Sequence, residues 1–103
     1  MVITRGTTPT VSLTVTDFEL YDTDEIHLYF SQGGKMRLKK VTPEVIIEGN
    51  TIRTELTQEE TYKLKKGEEV KIQFRLKRLD GKILPSEETY ADVADIDDDD
   101  EVI

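Results

Sequence analysis

The sequence predicts an all-β domain: an immunoglobulin-like β-sandwich of six or seven strands with one short crossover helix, or, as the alternative closure, a small β-barrel. Three observations point there. Apolar residues recur with period two in most of the chain, turn residues return about every ten positions, and a single segment carries a helix start signal.

Successive side chains of a strand point to opposite faces, so alternation marks a strand with one buried face. The first such run sets Val11, Leu13 and Val15 against Ser12, Thr14 and Thr16. The second sets Ile26, Leu28 and Phe30 against His27, Tyr29 and Ser31. Gly33-Gly34 then makes a turn, and Met36 and Leu38 alternate with Lys35, Arg37 and Lys39, which reads as a β-hairpin. Val45-Ile46-Ile47 is a short apolar run before a second turn at Gly49-Asn50, and Ile52, Thr54 and Leu56 share one face of the strand that follows.

The clearest strand covers residues 69–78. Val70, Ile72, Phe74 and Leu76 face one way, and Lys71, Gln73, Arg75 and Lys77 the other. Asp80-Gly81 reads as a two-residue hairpin turn. Pro85 cannot donate to a ladder, so the last strand is expected over residues 87–93, starting late or lying at a sheet edge. Thr57-Gln58-Glu59-Glu60 has the form of a capping box, in which the Thr hydroxyl and the Glu carboxylate each satisfy a backbone N–H of the first turn. Helix-compatible residues continue to Lys66, and Gly67 suits the left-handed position that ends a helix.

At 103 residues the chain fits one domain, expected over residues 1–93 with an acidic, flexible tail over residues 94–103. It contains no cysteine, which excludes disulfides and thiolate metal sites. No apolar run approaches the roughly 18–20 residues needed to span a membrane, and the first residues lack a basic stretch followed by an apolar one, so neither membrane nor signal peptide is expected. The net charge is −8, but residues 92–101 hold seven acids and no base; without them 15 acids stand against 14 Lys and Arg. The acidity belongs to the tail. An overall negative chain repels phosphate backbones, so no nucleic-acid partner is expected.

His27 is the only histidine and lies between apolar positions of a strand, with no local nucleophile or orienting group to make it a base. Asp95, Asp97 and Asp99 have the first spacings of a calcium loop, but Asp100 stands where that loop needs Gly and its twelfth position would fall beyond Ile103. No phosphate-binding Gly loop and no nucleophile elbow occurs, and no cofactor is implied. What remains is interaction chemistry. Lys71, Arg75, Lys77 and Arg78 form a basic stripe, with Lys63, Lys65 and Lys66 upstream; it is either a partner surface for an acidic segment or an ordinary solvated face. Val102 and Ile103 end the acidic run with two apolar residues that either dock into a neighbour or fray. Tyr21, Tyr29, Tyr62 and Tyr90 are the candidate aromatics for a carbohydrate surface.

Three stretches occurring together, Ile3-Thr4-Arg5-Gly6-Thr7-Thr8-Pro9-Thr10, Leu56-Thr57-Gln58-Glu59-Glu60-Thr61 and Val70-Lys71-Ile72-Gln73-Phe74-Arg75, carry a resemblance. With Asp80-Gly81, Ser86 and Val93-x-x-Ile96, they resemble small proteins encoded in the structural gene clusters of Firmicutes phages and prophages. Some of these are similar to the immunoglobulin-like N-terminal domains of phage baseplate proteins. The resemblance implies a non-enzymatic virion structural or assembly protein of tail, baseplate or head. Its partners would be other phage structural proteins or itself, possible as a homo-oligomer, and it would reside in the host cytoplasm during assembly and then in the virion. The competing expectation is a monomeric adhesion or carbohydrate-recognition module. The edges expected to dock a partner are the strands over residues 7–16 and 87–93.

Overall fold

The alternating runs resolve into two β-sheets packed as an immunoglobulin-like sandwich in the computed structural model, which describes residues 1–86 and 88–95. In chain order the elements are β1 (Val2–Thr4), β2 (Thr10–Thr14), β3 (Glu25–Gln32), β4 (Lys35–Val41), β5 (Ile46–Glu48), β6 (Thr51–Glu55), α1 (Gln58–Tyr62), β7 (Val70–Lys77), β8 (Ile83–Pro85) and β9 (Thr89–Ala94). The large sheet runs β1-β9-β7-β3-β4, with β8 paired to the far half of β7; the small sheet runs β2-β6-β5. All pairs are antiparallel except β1 with β9.

The predicted inward positions close the interior. Ile26, Leu28 and Phe30 on β3 and Val70, Ile72, Phe74 and Leu76 on β7 meet Val11 and Ile52 of the small sheet, with Ile3, Leu56, Leu64 and Val93 filling the ends. Each side chain of this kind gains about 1.5–3 kcal/mol by leaving water, so the two long central strands carry much of the fold. The capping box forms as read: Thr57 Oγ1 accepts from Glu60 N, and Glu60 Oε1 accepts from Thr57 N at 2.9 Å. The helix carries the chain from β6 of the small sheet to β7 of the large one. It is locked to the β1–β2 loop, where Thr61 Oγ1 accepts from Gly6 N and Gln58 Nε2 donates to Gly6 O.

Several expectations are corrected. Nine strands form among the described residues because β1 and β8, three residues each, are too short to show a period. The helix ends at Tyr62, a turn early; Gly67 is left-handed (φ 72°), but in the later turn where its N–H donates to Val93 O. The β7–β8 turn has three residues, not two: Gly81 N donates to Arg78 O and Arg78 N to Lys82 O, with only Gly81 at positive φ. The last strand is not an edge along its whole length, because β1 pairs with residues 92–94 on its outer side while β7 pairs with residues 89–91 on its inner side. β9 also runs one residue past 93, and Asp95 binds Arg5 at 2.9 Å.

One further difference has a local cause. Met36 was expected to share the inward face with Leu38. A bulge on β4 pairs Ser31 with Met36 but Phe30 with Leu38, so Arg37 is the extra residue and Met36 emerges 58% exposed on the outer face.

Candidate interaction surfaces

Among the described residues β2 (Thr10–Thr14) is an edge of the small sheet, inside the stretch 7–16 where an edge was expected. The bonds Leu56 N to Pro9 O and Val15 N to Asn50 O set its phase: odd residues turn their backbone groups to β6. Thr10, Ser12 and Thr14 therefore direct their N–H and C=O to the open side. No charged residue occurs from Gly6 through Thr16. Val11 is buried, Leu13 is half-buried, and the three even side chains are exposed hydroxyl residues.

The basic stripe lies on the outer face of the large sheet, where Lys71, Arg75 and Lys77 alternate with the buried side of β7. Cross-strand registry sets Arg75 beside His27, Lys77 beside Glu25 and Gln73 beside Tyr29. Tyr29 is the centre: Arg75 and Lys39 each stand 5.7 Å from its ring centroid. Two depressions of about 260 and 510 Å³ share Tyr29 and Arg75 and extend toward Ile83 and Met36 respectively. His27 Nε2 lies 2.8 Å from Glu25 Oε1, and that hydrogen bond holds the Glu25 carboxyl below its usual range. Lys71 is partly neutralised by Glu88 at 3.8 Å.

Arg78 does not belong to the stripe. It follows the last residue of β7 and turns inward: its guanidinium donates to Asp24 Oδ2 (3.3 Å) and Glu19 O (2.6 Å) and lies 4.2 Å from the Tyr21 ring centroid. It ties the β2–β3 loop to the end of β7. Of the upstream lysines, Lys66 pairs with Asp95 at 3.3 Å. Val102 and Ile103 lie outside the described residues. The four tyrosines sit on different elements: Tyr29 on β3, Tyr90 on β9, Tyr62 on α1 and Tyr21 in the β2–β3 loop.

The remaining charged feature is internal. Lys40, next inward after Leu38 on β4, is 4% exposed and donates to Glu60 (2.8 and 3.0 Å) and Glu44 (3.0 Å). Burial opposes its charge, but the bonds to Glu60 and Glu44 outweigh that and hold the ammonium above the usual lysine range. Burial likewise opposes charge on Glu60, which Lys40 and the Thr57 N–H nonetheless hold below the usual carboxylate range. The same carboxylate thus caps α1 and clamps β4. A basic residue in an inward phase was the sequence signal for this pair.

Among the described residues, no group of three or more His, Asp or Glu side chains is arranged to hold a metal ion. No helix there is long and apolar enough to cross a membrane. No protein-family model matches the chain, and a search of curated proteins finds no match.

Proposed function

We propose that this chain is a non-catalytic structural or assembly protein of a phage or prophage virion that joins neighbouring subunits by strand addition at β2. The observation that carries this reading is the uncharged open edge, where Thr10, Ser12 and Thr14 direct backbone donors and acceptors outward. An extended segment laid there gains main-chain hydrogen bonds, covers Leu13 further and meets no charge. The resemblance of three stretches of the chain to small phage structural-cluster proteins supplies the setting and the class of partner. A monomeric carbohydrate-recognition module has less support: Tyr21, Tyr29 and Tyr62 each carry a cation near the ring and lie apart on the fold.

The test is incorporation. Mass spectrometry of particles purified from an induced host carrying this gene should find the chain at fixed stoichiometry. Ser12→Lys, which adds a charge to the open edge without touching the core, should fold and yet be lost from those particles. Absence of the wild-type chain from purified particles would overturn the virion role, and normal incorporation of Ser12→Lys would overturn the β2 edge.

A further inference from the structure

We infer that the trough across the outer face of the large sheet binds the acidic C-terminal segment of a second copy of this chain. The trough has cations at its centre and apolar side chains at both ends, with one carboxylate, Glu25, held by His27 near the Ile83 end. Arg75 and Lys39 flank Tyr29, Lys77 lies beyond them, Met36 is 58% exposed at one end and Ile83 60% exposed at the other. The segment has the matching order: Ile96, then five acids from Asp97 to Glu101, then Val102 and Ile103.

The lengths agree as well. Met36 belongs to the row of Ser31 and Ile83 to the row of Glu25 and Lys77. Those rows lie about 20 Å apart along β3, and crossing three strand spacings brings the two side chains to about 24 Å. Extended backbone from Ile96 to Ile103 spans about 24 Å. Carboxylates then fall over the cations while the apolar ends cover Met36 and Ile83.

In this register the segment cannot come from the same molecule. Tyr90 of β9 is level with Lys71 and so with the Met36 row, and Ala94 lies four residues beyond it. From Ala94 to the Met36 end is about 13 Å along the strands and 14 Å across them, roughly 19 Å in all. Two residues carry the chain to Ile96 and span at most about 7 Å. The Ile83 end is farther still. A second copy is required, and the contact is head to tail.

Complementation tests this separately from the β2 edge. Light scattering on the chain of residues 1–103 at low ionic strength should show association that falls when salt reaches about 0.5 M. Arg75→Glu should weaken it about tenfold or more, and so should Asp98→Lys with Asp99→Lys. Mixing these two variants should restore a dimer, because one retains an intact segment and the other an intact trough. Ser12→Lys should associate like wild type in this assay, so loss of one contact is not read as loss of the other. A wild-type chain that stays monomeric at low salt and millimolar concentration, or variants that associate unchanged, would overturn the inference.

Discussion

β4 and β2 are both sheet edges, and they are protected in opposite ways. β4 carries Lys35, Arg37 and Lys39 within its first five residues and a bulge that breaks its ladder. Two such edges repel one another, and the bulge spoils their register. β2 carries neither charge nor bulge in its five residues. The contrast teaches that edge protection in this domain is selective: the long edge of the large sheet is closed to strand pairing, while the edge of the small sheet is left ready for it.

The largest effect expected from probing this contrast comes from Lys40, the β4 cation that faces inward. Lys40→Ala leaves Glu60 mostly buried without its partner and should cost about 3 kcal/mol in urea unfolding. Lys40→Met, which restores the packing but not the charge, should recover part of that loss. Equal stability of Lys40→Ala and wild type would mean that the clamp between β4 and α1 contributes nothing.

The same pair sets two pH limits. Glu60 is held below its ordinary value of 4.5, so its contribution is present above that value and is lost as pH falls through the lower folded value. Lys40 is held above 10.5, so its contribution is complete below 10.5 and is lost as pH rises through the higher folded value. Glu60→Gln should therefore flatten the acid limb of a stability-versus-pH curve; an unchanged limb would assign acid sensitivity to other carboxylates.

Much of this contrast was legible in the sequence. Val11, Leu13 and Val15, and above all the run from Val70 to Leu76, announced their buried faces because period two survives burial on one side only. The uncharged stretch before Asp17 was equally visible. Strand order was not: nothing local says that β1 pairs with β9 and covers the second half of a supposed edge. The outer trough was half legible. Arg75 and Lys77 fell out of the alternation, but Met36 reached that face through a bulge set by pairing with β3, and Arg78 left it because the strand had already ended.

Smaller effects sharpen the comparison. Thr54 Oγ1 donates to Glu44 O at 3.0 Å from a buried position, so Thr54→Val should cost about 1 kcal/mol through the carbonyl left without it. Replacing Lys35 and Lys39 on β4 together by Thr should change stability by no more than about 0.5 kcal/mol but raise the rate of aggregation, read by light scattering on warming. If aggregation is unaffected, charge is not what protects that edge.

Amide hydrogen exchange, comparing the chain in the virion particles proposed for it with the isolated chain, tests the β2 edge most directly. In the isolated chain the amides of Thr10, Ser12 and Thr14 should exchange quickly while Val11, Leu13 and Val15 are protected. Assembly should slow the three fast amides and leave the outward amides of β4 at Lys39 and Val41 unchanged. Protection gained on β4 with none on β2 would contradict the account.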